Sequence, residues 1–586
     1  MLLMKDVPAA LDAKFLVLSK LAELYARTGQ DKHAKKMVAE GRRLSVDEER
    51  TAWLERFQLL DVNISCAFGR TAEGCALLVE VQAQAAAQGR PQVQLTCLVV
   101  QLQLAVTQLA WDAGEAKQML VDGDALVAQL RAAGAGGDTE ALDELCFMLE
   151  VMHVLYSTHT EDQASCGVSA ESRLTKALAA LADAKPPAAA EAAGQSYQLW
   201  LPRSLRGALL RLVAAGIHQS NDTSRALENV HAGTQTVDEW LEAAAILMPQ
   251  GEQPARTCIG SQTLVGHTAL RMKAGLAEIG FHALLTRCDF VGAADQLYKA
   301  KQLVISFGST FRHEDVAGRH TYFTAEYAYC VGELQRAGEL CDEALPLCQD
   351  SQIRNQCHVL KAVVLLEQDD LAGCLAALDT VAHPEDEKTV TIQASAAAQF
   401  AKALRNHLQG QYQPAKTLGM QTFTCSKSSN MQQTAQALCL LGEVYLALGA
   451  KETDQMLAIA IQTAGKTGDT LTNCIALTHL VKLANKSNDA SKQEQADRST
   501  VNLNKKMKDI DEAIAKAKVT WQHWGIMAES VVEPAATDSA AAAAAGSAAV
   551  SPSGESQAVQ LLEYGTGSGV KKKPVVDRWA KSRGKQ

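Results

Sequence analysis

The chain has 586 residues, and this exceeds the roughly 250–300 at which one compact core stops growing, so a single globular domain is excluded and several domains or an open repeat array remain. Hydrophobic residues make up 47% and aromatics only 5%, a composition led by Ala and Leu that suits helix packed on helix and leaves a sheet without its usual filling. The formal net charge of -10 argues against broad engagement of nucleic acid by the folded body, because phosphate contacts need clustered Lys and Arg.

From the start, Met1 to Ala22 carries Lys5, Asp6, Asp12 and Lys14 inside its apolar stretch, which predicts a helix rather than a signal peptide. Phe15, Leu18, Ala22 and Tyr25 recur at helical spacing, and Tyr25, Gly29 and Ala34 fit a helix–turn–helix frame. The same pattern of helix, short turn and helix continues to about residue 527. Interruptions at 133–138, 160–170, 183–196 and 249–261 read as loops between repeats, since helical patterning resumes on both sides. The fifteen cysteines are scattered through apolar runs without CxxC spacing, as expected of reduced, buried thiols in an intracellular protein. Nowhere do 18 apolar residues follow one another, so no membrane span is expected.

Internal repeats decide the fold class. A tetratricopeptide unit sets a small residue at the end of its first helix, an aromatic or Leu two later, and an Ala three beyond that, where two helices cross closely. The chain gives Cys288-x-Phe290-x-x-Ala293, Gly332-x-Leu334-x-x-Ala337, Asp369-x-Leu371-x-x-Cys374 and Gly410-x-Tyr412-x-x-Ala415. Successive turn residues 288, 332, 369 and 410 lie 44, 37 and 41 apart, longer than the usual period of about 34, so helices or turns are extended. The expectation is an all-α, tetratricopeptide-like helical-hairpin superhelix (an α-solenoid) over 1–527, with a concave inner surface. The turn after Gly449 places Asp454 where a crossing Ala is expected, and 219–262 matches no repeat.

The stretch Ala397 to Asp489 holds Gln409-Gly410-Gln411-Tyr412 with Ala415-Lys416, then Leu441-Gly442-Glu443-Val444-Tyr445 with Leu448-Gly449, then Ala460-Ile461-Gln462-Thr463-Ala464-Gly465-Lys466. In order and spacing it resembles the C-terminal repeats of the cohesin-loading factor family, the small tetratricopeptide subunit of the complex that places cohesin rings on chromosomes. Trp200-Leu201-Pro202 ahead of an apolar helix, and Trp53 to Leu60 followed by Gly74 to Leu78, are also similar to elements of that family. The resemblance implies a nuclear, chromatin-associated scaffold whose groove clasps the extended N-terminal segment of the large HEAT-repeat loader subunit, with cohesin reached indirectly.

No catalytic, cofactor-binding or metal site is expected. The 14 histidines are dispersed, with no HExxH and no GxSxG. The densest polar cluster, His313-Glu314-Asp315 with Arg319-His320, reads either as a metal or acid–base site or, better, as a solvated inter-repeat loop. Gly565-Thr566-Gly567-Ser568-Gly569 lacks the strand and helix of a phosphate loop and reads as a linker. Residues 528–586 form an expected disordered, low-complexity Ala/Gly/Ser-rich tail. Its end, Lys571-Lys572-Lys573-Pro574 with Arg578, Lys581, Arg583 and Lys585, reads as a nuclear import signal, a weak nucleic-acid tail or a solvated terminus. Val501 to Trp524 reads as a charged helix that ends in Trp521 and Trp524 and caps the last repeat. Besides the cohesin-loader scaffold, another tetratricopeptide adaptor, of the anaphase-promoting-complex or cargo type, fits the same pattern; an enzyme ranks third. The sequence assigns no partner-binding residues.

Overall fold

In the computed structural model, described residues are 8–527 apart from 29, 68–69, 108–112, 134–138, 160–169, 184–202, 245–263, 308–315, 349–350, 382–391, 428–429, 451 and 487–489. The four interruptions read as loops fall wholly or largely outside them, as do Trp200 to Pro202, His313 to Asp315, the glycine run at 565–569 and the basic tail.

Among the described residues there are 23 helices and no strand. The first six hairpins pair α1 (Pro8–Arg27) with α2 (Asp31–Asp47), α3 (Thr51–Ala67) with α4 (Thr71–Ala87), α5 (Pro91–Thr107) with α6 (Ala113–Ala132), α7 (Thr139–His159) with α8 (Ala170–Asp183), α9 (Arg203–Gln219) with α10 (Thr223–Ala243), and α11 (Leu264–Thr286) with α12 (Phe290–Ser306). The next five pair α13 (Val316–Cys330) with α14 (Leu334–Ala344), α15 (Ser351–Glu367) with α16 (Leu371–Asp379), α17 (Ile392–Leu408) with α18 (Tyr412–Ser426), α19 (Met431–Leu448) with α20 (Thr453–Thr467), and α21 (Thr470–Lys486) with α22 (Ala490–Lys518). The short α23 (Trp521–Met527) follows.

The repeat frame read from sequence has a backbone cause. Cys288, Gly332, Asp369 and Gly410 all lie in the left-handed region, with φ of 63, 80, 66 and 74°. Such a residue ends a helix by turning its N–H back onto the last carbonyls, and the following residue already opens the next helix. The crossing positions Ala293, Ala337, Cys374 and Ala415 are 0–1% exposed, because a larger side chain would push the two helices apart. Ala34 at the first hairpin is equally buried.

The hairpin after Gly449 is present despite Asp454. Its crossing residue is Thr453, one place earlier, and Gly442 on the facing helix leaves room for Leu457, whose Cδ2 would lie 2.6 Å from an added Cβ. Region 219–262 also supplies a repeat helix, α10. It starts not at a left-handed glycine but at Asp222, whose side chain accepts from Ser224 N and Arg225 N. Arg319 and His320 sit within helix α13, not in a solvated loop.

Helix α22 does more than cap the last hairpin. It packs on α21 and also on α12, while α23 reaches α12 and α13. Curvature of the superhelix brings the end of the chain back to hairpins about two hundred residues earlier, so Ile510, Ala517 and Ile526 share one buried cluster with Phe281, Phe290, Tyr327 and Leu340. Turns also meet: Thr223 Oγ1 donates to Thr467 O at 2.9 Å, Met431 N to Asn221 Oδ1 at 3.0 Å, and Gln432 N to Ser220 O at 3.0 Å. Residues 203–527 therefore close on themselves, whereas α1–α8 form the preceding arm.

Candidate partner-binding surface

First helices of neighbouring hairpins touch one another: α1 with α3, α5 with α7, α7 with α9, α9 with α11, and onward from α13 through α15, α17 and α19 to α21. A helix that meets both its own partner and the corresponding helix of the next unit lies on the short-radius side of the curve. First helices therefore line the inner face.

A row of polar ties joins these helices. Arg56 donates to Ser19 Oγ (3.2 Å), and Trp53 Nε1 to Asp12 Oδ1 (2.8 Å), between α3 and α1. Arg206 lies over the Phe147 ring at 5.8 Å between α9 and α7. Arg319 pairs with Glu278 (3.4 Å) and Glu326 with His282 (3.4 Å) between α13 and α11. Tyr329 Oη donates to Glu367 (2.9 Å), and Glu443 sits between His407 (3.3 Å) and His479 (3.0 Å), spanning α17, α19 and α21. The inner face is thus polar. The small apolar residues and most of the described cysteines fill the crossings between helix layers, as the reading of buried thiols expected.

Enclosure by facing helices dominates the electrostatics. Glu326 is pushed up to about 7 and His282 down to about 4, although each keeps roughly a quarter of its side-chain surface (28% and 22%) open. Burial likewise takes His479 and His320 down to about 3, His320 with help from Lys301 and Arg319. Thiols move the other way, Cys97 to about 12 and Cys474 to about 11, which keeps them protonated and un-nucleophilic. Among the described residues, no group of three or more His, Cys, Asp or Glu is placed to hold a metal ion, and no helix is long and apolar enough to cross a membrane. A polar cavity of about 320 Å³, bordered by Asp222, Ser224, Arg287, Lys466, Gly468 and Thr470, lies where the early and late turns meet.

Sequence reasoning assigned none of these residues to a binding face: it named Arg319 only in a polar cluster, and Trp53 and Glu443 only within the family-like stretches. The only signal available was register: polar side chains at the positions of a first helix that neither face its own partner nor the outside.

No protein-family model and no curated protein matches the chain. Among solved structures it is similar to the Rap protein complexed with Competence and Sporulation Factor, at 13% identity over 65% of this chain and 95% of that one, with a TM-score of 0.33. It is also similar to yeast Tom70 (11% identity, 87% and 100% covered, TM-score 0.30) and to the APC/C hetero-tetramer Cut9-Hcn1 (13%, 82% and 96%, TM-score 0.24). At such scores these likenesses carry no function. The fold assignment stands on the hairpins.

Proposed function

We propose that this chain is a non-catalytic scaffold subunit of a cohesin loader, and that its inner face holds the extended N-terminal segment of the large HEAT-repeat loader subunit in the nucleus. The observation that carries the scaffold half is the polar character of the inner face, where ties between first helices recur at intervals from α1 to α21. An extended peptide presents a donor or an acceptor at nearly every residue, and a long polar row matches many small contacts rather than one reaction centre. The cohesin-loader half rests on the resemblance of 397–489, whose matched residues have structural roles here: Gly410 and Gly449 are left-handed turn residues, and Gly442 seats Leu457. Import to the nucleus is assigned to the basic end, Lys571 to Lys585.

The test is co-expression of the full chain with that partner segment. A complex in gel filtration, with a melting temperature that rises with segment concentration, is the expected outcome. Failure to associate removes the loader reading; charge reversal of Glu278 and Arg319 together weakening any peptide that does bind would still locate a scaffold groove.

A further inference from the structure

The place where the end of the chain lands has the makeup of a ligand site. Along α22, Leu503, Met507, Ile510, Ile514 and Ala517 form a stripe at spacings of three and four that is shared between α21, its hairpin partner, and α12, and Ile526 on α23 extends the contact to α12 and α13. The opposite side of α22, with Lys505, Lys508, Asp509, Glu512 and Lys516, is exposed. At the far end, recognition becomes polar and directional. Lys518 pairs with Glu333, which opens α14. Lys301 Nζ, on a lysine only 8% exposed, donates to the Gly525 carbonyl at 3.1 Å, the position where a helix end carries partial negative charge. Gly525 lies against Tyr298, whose Cε2 would be 3.4 Å from an added Cβ. Finally, the fully buried Tyr327 hydroxyl is 3.2 Å from His523 Nδ1.

Each contact pairs a group of the seat (Tyr298, Lys301, Tyr327, Glu333) with a feature that any helix of suitable sequence would present. None requires the covalent connection, 185 to 224 residues long, between the two sides. The seat also keeps its own core without the visitor, since Phe281, Phe290, Ala293, Phe323, Ala337 and Leu340 all come from α11–α14. It shares helix α13 with the inner row, but its residues Tyr298, Lys301, Tyr327 and Glu333 are not members of that row, so it stands whether or not the assignment of the extended partner does.

We propose that the seat across α12–α14 is a helix-binding site, filled in the resting protein by the chain's own α22–α23 and open to competition from a partner. The partner is an amphipathic helix with an aliphatic stripe at i, i+4, i+7 and i+11 and a cation one turn after that stripe, followed after a two-residue break by a short second helix that carries a glycine, as α22 and α23 do. Tethering gives the resident helix a high local concentration, so a free competitor wins only when it matches the seat better or when the resident is weakened.

The probe is a labelled synthetic peptide of residues 490–527, added to the full-length chain. Wild-type protein is expected to bind it at least tenfold more weakly than the I510D/K518E variant, whose resident helix is loosened. Glu333→Lys added to that variant should cut peptide binding about tenfold, and a K518E peptide should restore it. Should I510D/K518E fail to fold, K518E alone, a substitution at the rim, serves as recipient with the same sign and a smaller effect. Folded recipients that bind no peptide would overturn the proposal. So would capture of peptide only by dimers in gel filtration, because that outcome makes the seat a swap point between copies.

Discussion

The arm α1–α8 and the ring 203–527 are built from the same hairpin, yet they are held together differently. In the arm, ion pairs join adjoining elements: Arg42 to Asp61, Arg90 to Glu55, Lys35 to Glu73 and Arg70 to Asp31, 19, 35, 38 and 39 residues apart. Its apolar residues fall into successive clusters around Phe57, Leu78 and Leu98, the last of which continues onto Leu210, Val213 and Ala214 of α9 where the arm joins the ring. In the ring, Lys518 to Glu333, Tyr327 to His523 and Thr223 to Thr467 span 185, 196 and 244 residues, and one cluster runs from Phe281 to Ile526. Nearest-neighbour packing makes stability a sum over units, whereas closure couples distant units into one transition.

The largest effect should come from cutting that coupling. Phe290→Ala empties a fully buried site in the ring cluster and should cost about 3–5 kcal/mol. Amide exchange should then quicken across α11–α23. Phe57→Ala, equally buried in the arm, should cost as much locally but speed exchange only within α1–α5. Equal spread of the two effects along the chain would mean that the arm and ring do not differ in cooperativity.

Acid should separate the two regions next. The histidines held below their ordinary range, His282, His320, His358, His479 and His523, all lie in the ring, where burial disfavours the charged ring. An unfolded histidine titrates near 6.5, so below that pH the unfolded chain takes up protons that the folded ring refuses; stability falls as pH drops from about 6.5 toward 4. Glu326 opposes this. Raised to about 7, it costs stability above 4.5 and progressively less as pH falls from 7. Between pH 7 and 5 the ring should lose on the order of 2–4 kcal/mol net, and Glu326→Gln should steepen that loss while stabilising the protein at pH 7.5. Denaturant titrations at a series of pH values read both; an ascending stability toward pH 5 would contradict the sign.

A smaller contrast concerns close approach. In the arm, a Cβ on Gly41 would stand 2.4 Å from Cε1 of the Phe57 ring, which is wedged between helices; in the ring, one on Gly442 would meet the flexible end of Leu457 at 2.6 Å. Gly41→Ala should therefore cost about 1–3 kcal/mol, and Gly442→Ala less than about 1 kcal/mol, because leucine has other rotamers and a trapped phenyl ring does not. Thermal melts of the two variants rank them. The reverse order would show that closure of the ring, not the yielding of one neighbour, sets the cost.

What could be read in sequence follows the same division. Turn residues 288, 332, 369 and 410 and the small residues five positions later (Ala293, Ala337, Cys374 and Ala415) were legible because a hairpin's turn and crossing lie within a few residues of each other. Residues 219–262 matched no repeat because α10 starts with an Asp222 cap rather than a left-handed residue, though Asp-Thr-Ser after His-Gln-Ser-Asn was a usable start signal. Closure was not legible. It arises from small rotations accumulated over many repeats, and no local pattern records that Ile526 will meet the hairpins of Phe290 and Leu340. The inner row was hidden for a related reason: His407, Glu443 and His479 come from three first helices, and only the stacking register brings them within hydrogen-bond distance.

The smallest effect tests the turn itself, freed of packing. Asp369 is exposed and holds φ of 66°, and a Cβ added at Gly410, with φ of 74°, would meet nothing within 4 Å. At both sites the left-handed backbone is the main variable. A residue with a Cβ pays a steric penalty there that glycine avoids, offset in part by the greater freedom glycine regains on unfolding. Aspartate tolerates this region better than alanine, because its short polar side chain bonds locally. Asp369→Gly should thus stabilise by about 0.5 kcal/mol, and Gly410→Ala should destabilise by about 1 kcal/mol. The neighbouring Asp370 must stay in place, since its side chain caps α16 by accepting from Gly373 N at 2.8 Å. Chemical denaturation of both single variants and of the double variant gives three numbers that should add, the sites lying on different hairpins. Effects of the same sign at the two turns would show that a left-handed φ is not what the repeat frame selects at these positions.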